Sequence, residues 1–280
     1  MKHAILSAFA DEYADSFQEQ LHALGQFDIR HIEIRHVNGK NISALTADEV
    51  KEAKIMLKDS GIKVSAIGSP IGKIPLDGDL HAHLEMARRV FASANMLETK
   101  YVRMFSFYAS CGKHITDQKG EVQAVLEQLV LLAREYGVVL CHENEAKIYG
   151  DTPERAKELL DYFGGEMKCV FDMGNFVLEG IDPYPEAYML LQEYIAYFHI
   201  KDALFAGAIV PAGKGEARIK EILCAHSRYA KEDFVVSLEP HLQTFSGLNA
   251  LVGRSFQNPY QYAHQKAAFA DAVTNFKELI

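Results

Sequence analysis

The sequence predicts an α/β protein folded as one (β/α)8 barrel, a TIM barrel, spanning residues 1–280. Three observations lead there. Eight short apolar runs, each the length of a buried strand, alternate with eight segments of helical periodicity. No linker-like stretch, composition shift or sequence repeat divides the chain. Four of the later runs stop on a charged residue: Val138-Val-Leu-Cys-His-Glu143, Val170-Phe-Asp172, Tyr197-Phe-His199 and Val236-Ser-Leu-Glu239. Two Rossmann-like halves would also alternate strand and helix, but no GxGxxG follows any strand.

Residues 4–9 read as the first strand, followed by Asp11-Glu12 and a helix with Phe17, Leu21 and Leu24 on one stripe, ending at Gly25. The second strand is 31–35, and Thr46 caps a helix that carries Val50, Ala53, Ile55 and Leu57 up to Ser60-Gly61. Strand three, 63–67, leads into a Gly/Pro loop and a helix over 79–97. Strand four is 101–107 and its helix 119–136, closed by Gly137. Strand five is 138–142, and Thr152-Pro153 opens the next helix with a cap and a proline at the first helical position. Strand six is 167–172 with a helix over 183–193, strand seven 196–200 with a helix over 218–229, and strand eight 234–239. A closing helix over 259–279 carries Tyr262, Ala263, Ala267, Phe269, Ala270, Val273 and Phe276 at helical spacing.

Composition narrows the partners. Acidic residues outnumber basic ones by 38 to 29 without blocks of like charge, which argues against a nucleic-acid surface, since phosphate binding draws on clustered Lys and Arg. A small-molecule substrate is the better expectation. Cys111, Cys141, Cys169 and Cys224 are scattered with no CxxC, as in a cytoplasmic protein with reduced, mostly buried thiols. No stretch approaches a membrane span, and the first residues are too poor in apolar content for a signal peptide. The chain is compatible with a homo-oligomer.

If the strands lie parallel in one barrel, their ends gather at one mouth, and Glu143, Asp172, His199 and Glu239 face one another there. A charge after one strand is ordinary, because loops begin there. Four at once outline a metal site. Three carboxylates and one imidazole suit Mn²⁺, Mg²⁺ or Co²⁺ better than a thiolate-rich zinc site does, and Zn²⁺ stays within range. Paired carboxylates beside a metal also suit proton transfer next to a carbonyl through an enediolate, with one Glu removing a proton and the other returning it.

These residues carry a family resemblance. The segments His142-Glu143-Asn144, Phe171-Asp172-Met-Gly-Asn175, His199-Ile-Lys201-Asp202, Pro211-Ala-Gly-Lys-Gly215 and Ser237-Leu-Glu239-Pro-His241 resemble the xylose isomerase-like TIM-barrel superfamily, the sugar phosphate isomerases and epimerases. The resemblance implies that Glu143, Asp172, His199 and Glu239 hold one divalent metal, that Glu143 and Glu239 are the acid/base pair, and that the substrate is a keto-sugar or keto-polyol. Ketohexose 3-epimerases of this superfamily usually have His where this chain has Asn175, and Arg where it reads Leu204-Phe205-Ala206. The three-zinc endonuclease IV relatives need further His and Asp ligands that are missing here.

A second tier of candidates is expected to touch substrate: Glu33, Arg103, Asn175, Lys201 and His241. Glu33 and Arg35 alternate with Ile32 and Ile34 and so share one side of strand two, where a buried ion pair is the competing account. Lys201 and His241 lie two residues beyond His199 and Glu239 and share their faces if the strands continue that far. His142 should point the other way, toward the helices. The turn at 211–215 is not a P-loop, though a Gly-rich turn after strand seven can cradle an anion. The expected activity is metal-dependent isomerisation or epimerisation of a keto-sugar or related polyol, with a keto-polyol dehydratase or lyase, a non-catalytic sugar-binding barrel and a phosphate-ester hydrolase as competitors.

Overall fold

The computed structural model describes residues 3–243 and 259–280. Eight strands form one sheet: β1 Ala4–Ala8, β2 His31–Ile34, β3 Lys63–Gly68, β4 Tyr101–Met104, β5 Val139–Glu143, β6 Met167–Asp172, β7 Ile195–Ile200 and β8 Phe234–Leu238. They run β1-β8-β7-β6-β5-β4-β3-β2, and every pairing is parallel. The terminal strands β1 and β2 lie side by side, so the sheet curls into a nearly closed barrel. Parallel strands need crossovers, and helices supply them: α1 Phe17–Gln26, α2 Ala47–Ser60, α3 Leu80–Met96, α4 Lys119–Tyr136, α5 Pro153–Tyr162, α6 Met173–Leu178, α7 Tyr188–Leu191, α8 Ile219–Tyr229 and α9 Gln265–Leu279. Among the described residues no helix is long and apolar enough to cross a membrane.

Local chemistry explains the helix ends. Thr46 and Glu49 form a capping box at the start of α2, each side chain bonded to the other's backbone N–H, and Gly61 at φ +68° closes the same helix. Thr152 caps α5, with Pro153 at the first helical position.

Three expectations change. The helix expected over 183–193 is an irregular turn at Pro183–Ala187, with Tyr184 in extended conformation, followed by the single turn α7. The chain spends its helical residues earlier, in α6, which starts directly on Asp172. The closing helix begins at Gln265 rather than 259, because the His264 ring accepts the Ala267 N–H and sets the cap there, leaving Tyr262 and Ala263 outside. Strand four stops at Met104 because the Phe105 N–H turns away to the carbonyl of Ile71 in the Gly/Pro loop.

The strand period of two decides what faces inward. Inside the barrel Ala66, Cys141, Val170 and Tyr197 pack as an apolar layer. The residues two further along β5, β6 and β7 are Glu143, Asp172 and His199, so the charged layer stands directly above the apolar one. Between strands and helices lies the large core, with Phe17, Phe91, Leu126, Leu159, Phe171, Phe198 and Phe276 buried in it. Cys141 and Cys169 are buried and Cys224 is half-buried; Cys111 alone of the four is exposed.

Candidate metal centre

Glu143 ends β5, Asp172 ends β6, His199 sits one residue before the end of β7, and Glu239 follows β8. Parallel register staggers them: Asp172 pairs with His199, Glu143 with Val170 two residues short of Asp172, and His199 with Ser237 two residues short of Glu239, yet the four side chains converge. One donor atom from each of the four lies within 4.8 Å of those of the other three, and all four residues are buried. His199 Nδ1 faces the cluster, 3.0 Å from Glu143 Oε1, 3.3 Å from Glu239 Oε2 and 3.9 Å from Asp172 Oδ2. Three carboxylate oxygens and one imidazole nitrogen converging in a buried space fit one divalent cation.

The second-tier residues surround this cluster. Arg103 Nη1 stands 3.1 Å from Glu143 Oε2 and 3.4 Å from Glu239 Oε1, with its guanidinium over the Phe105 ring. Lys201 Nζ lies 2.9 Å from Asp172 Oδ2 and 3.3 Å from Glu239 Oε2. His241 Nε2 is 3.6 Å from Glu239 Oε1 and 3.5 Å from Glu12 Oε1. Asn175 donates to the carbonyl of Asn144 at 2.8 Å and to Glu143 Oε1 at 3.4 Å. Glu33 sits on the far side of the His199 ring, with Oε2 3.1 Å from Nε2, and its other oxygen accepts the Tyr197 hydroxyl at 2.9 Å. A cleft of about 620 Å³ lies elsewhere, at the opposite end of the barrel, among Lys100, Tyr101, Val139, Lys168 and Phe234 at the strand starts.

Electrostatics follow from burial and crowding. Burial pushes the Asp172 carboxyl up to about 7, Lys201 pulls it down, and Glu143 and Glu239 add to the rise. Burial also works to raise Glu143, yet the His199 and Arg103 charges hold it down at about 2. Glu239 is kept well below the usual range against its burial by Lys201 and His199. His199 is driven well above its ordinary value despite burial, because Glu33, Glu143 and Glu239 all favour the imidazolium.

Several further residues contribute. Arg35 does not pair with Glu33; it makes a two-pronged bond to Asp11 at 2.8 and 3.1 Å and reaches Glu239 Oε1 at 2.9 Å and Glu12 at 3.3 Å. Asp11-Glu12 follows an apolar strand just as the four metal candidates do, and that was the available signal. Phe9 lies buried against His199, Arg35 and Arg103, in space left by Gly68, where a Cβ would meet the ring at 2.4 Å. Asn144 joins β5 to β6 by accepting the Asp172 N–H at 3.0 Å and donating to the Asp172 carbonyl at 2.9 Å. Its amide mimics a backbone pair, so only the tertiary pairing reveals it. His142 turns outward to Ser106 Oγ at 3.0 Å with Gly150 against its ring.

The Gly-rich turn after β7 is occupied by the chain itself. Asp202 accepts the N–H groups of Ala203, Gly213, Gly215 and Ala217 at 2.8–3.0 Å.

A family profile described as xylose isomerase-like TIM barrel matches residues 19–249. No curated protein matches the chain in sequence. Among solved structures, an L-ribulose 3-epimerase superposes with a TM-score of 0.73 at 16% identity, covering 99% of this chain and 95% of the other. A probable 3-DHS dehydratase of petrobactin synthesis from Bacillus anthracis gives 0.69 at 19% identity, over 90% and 95% of the two chains. A xylose isomerase-like TIM barrel protein from Mycobacterium smegmatis, in complex with magnesium, gives 0.69 at 16%, over 94% and 88%. At these identities the likeness is one of fold.

Proposed function

The chain belongs to the xylose isomerase-like TIM-barrel family, and on that premise we propose that it is a divalent-metal-dependent isomerase or epimerase of a keto-sugar or related keto-polyol, moving a proton through an enediolate between Glu143 and Glu239. The observation that carries this reading is that Glu143 and Glu239 both lie within 3.4 Å of one Arg103 nitrogen, both with carboxyls held below the ordinary range. Of two carboxylates ionised at neutral pH and reaching the site from β5 and from the end of β8, one takes the proton from a substrate carbon and becomes the acid; return from the other side follows once that proton has passed through the enediol oxygens to the second carboxylate.

Glu143, Asp172, His199 and Glu239 would hold the ion, Mn²⁺ first, with Mg²⁺, Co²⁺ or Zn²⁺ as substitutes. Bound there, it would polarise a substrate carbonyl and stabilise the charge that develops on the oxygen. The chain's own groups do the rest. Arg35 fixes the Glu239 carboxylate through Oε1, and Asn175 steadies Glu143 through Oε1. Arg103, beside both carboxylates, and Lys201, beside Glu239 and Asp172, are buried cations suited to an oxyanion in the substrate. His241, beside Glu239, is suited to a substrate hydroxyl. A dehydratase is the second reading, supported by the similarity to the 3-DHS dehydratase and by the same acid/base pair, which could expel water after proton removal.

The test measures metal content of the purified protein by mass spectrometry, then follows exchange of substrate carbon-bound hydrogen in D2O with a panel of keto-sugars and keto-polyols. Expected are about one equivalent of metal in the wild type, a sharp drop in Asp172→Ala, and exchange that falls by about 10²-fold or more in Glu239→Gln. Loss of water from substrate would move the assignment to the dehydratase. Binding without exchange would make this a sugar-binding barrel, and failure to take up any of the four ions would sink the proposal.

A further inference from the structure

Glu33 was expected to touch substrate, yet it lies under the His199 ring, away from the cluster of donor atoms. The axis runs from the Tyr197 hydroxyl to Glu33 Oε1 at 2.9 Å, and from Glu33 Oε2 to His199 Nε2 at 3.1 Å, with Nδ1 on the opposite edge of the ring facing Glu143, Asp172 and Glu239. All three residues are buried, and the apolar layer of Ala66, Cys141, Val170 and Tyr197 lies below.

We propose that Glu33 is a positioning residue that fixes the tautomer of His199, keeping the proton on Nε2 so that Nδ1 presents its lone pair to the metal. The inference rests on the metal-site reading above. A buried carboxylate can only accept, and a bare ring nitrogen facing it would set one lone pair against another, so the nitrogen opposite Glu33 retains its hydrogen. An ion held by Glu143, Asp172 and Glu239 would take the place of the Nδ1 proton and leave a neutral imidazole, which carries one proton. With that proton committed to Nε2, the nitrogen left bare is the one aimed at Glu143, Asp172 and Glu239.

The ring is also held in plane. Phe9 meets it edge-on at 5.2 Å between centroids and Tyr197 at 5.5 Å, so a flip exchanging the two nitrogens would have to displace both. Tyr197 belongs to the arrangement because its hydroxyl engages the second Glu33 oxygen and leaves Oε2 directed at the histidine.

The experiment compares Mn²⁺ affinity, by chelator competition, in wild type, Glu33→Ala, Glu33→Gln and Tyr197→Phe, each checked for folding by circular dichroism. Loss of an outer partner of a ligating histidine typically costs about 10–100-fold in metal affinity, which is the expectation for Glu33→Ala. Glu33→Gln should lose less, since its amide oxygen can still accept from Nε2–H, and it keeps the test open if the alanine variant misfolds. In wild type loaded with Zn²⁺, a long-range ¹H–¹⁵N spectrum should show His199 protonated at Nε2 and bare of hydrogen at Nδ1.

The reverse tautomer in that spectrum would overturn the proposal without any variant. So would folded Glu33→Ala that binds Mn²⁺ as tightly as wild type while its KM for substrate rises, because Glu33 would then be a substrate contact. If wild type and Asp172→Ala alike take up no metal, the metal reading itself has failed, an outcome distinct from a site that binds normally without Glu33.

Discussion

A Cβ built on Gly72 would fall 1.9 Å from the carbonyl oxygen of Phe105, and the residue holds φ +87°, so close approach and backbone conformation both demand glycine. Gly72→Ala should therefore destabilise the protein by about 1–3 kcal/mol in urea unfolding, the range for strained backbone positions. The Gly72 N–H donates to His83 Nε2 at 2.8 Å, which requires a neutral imidazole, and burial pushes the His83 ring down to about 4. The linkage has a definite sign. Between the ordinary value near 6.5 and about 4 the unfolded chain binds a proton that the folded chain refuses, so stability present above pH 6.5 is lost as pH falls through this window, by less than about 1.4 kcal/mol per pH unit. Unfolding midpoints at pH 7.5 and 5.0 should differ more in wild type than in His83→Gln. An equal difference in the two proteins would remove His83 as the cause.

At the level of the element, α2 has the most complete terminus. Thr46→Ala removes the side-chain half of its capping box and should cost about 1 kcal/mol, measurable as a lower urea midpoint at unchanged m-value. This terminus could be read beforehand, because Thr46, Glu49 and Gly61 act within a few residues of themselves. The start of α6 could not. Met173-Gly-Asn-Phe-Val-Leu178 is too short for a clear periodicity, and its cap is Asp172, whose Oδ1 accepts the Asn175 N–H while Oδ2 faces Lys201. The segment after Asp182 misled for the opposite reason. Its apolar residues repeat at helical spacing, but Pro183 and Pro185 break the backbone pattern until Tyr188. Glu33 shows the same limit within a strand, for alternation sets its side of β2 and says nothing of the Tyr197 and His199 atoms that receive it.

For the molecule as a whole, the alternation of strands and helices was legible because parallel strands buried on both faces read as continuous apolar runs, each ending where the backbone reaches the mouth. The four cluster residues were legible on the same ground, as a charge where each of four successive strands ends its apolar run. The counter-charges were less so: Asp11, Glu12 and Arg35 assemble with Glu239 only once β1, β2 and β8 are adjacent. On the proposed metal reading, the buried carboxylates of this cluster would tie global stability to cation binding. Metal-stripped protein should melt at lower temperature than protein supplied with Mn²⁺, with a stabilisation of about 2.7 kcal/mol when the free ion is at 100 times its Kd. Calorimetry with and without chelator checks this, and Asp172→Ala should show no shift. A shift preserved in that variant would mean that the ion stabilises the fold from another position.

On the proposed activity, the four amides gathered by Asp202 would bear on selectivity among carbohydrates. A phosphate ester arriving at that turn would encounter a resident carboxylate in place of free donors, and repulsion in place of a cradle. Inorganic phosphate should therefore compete poorly with substrate, and an unesterified sugar should be processed at least as well as its phosphorylated counterpart wherever the ester would reach the turn. Asp202→Asn, which removes the charge while keeping one acceptor oxygen, should narrow that preference.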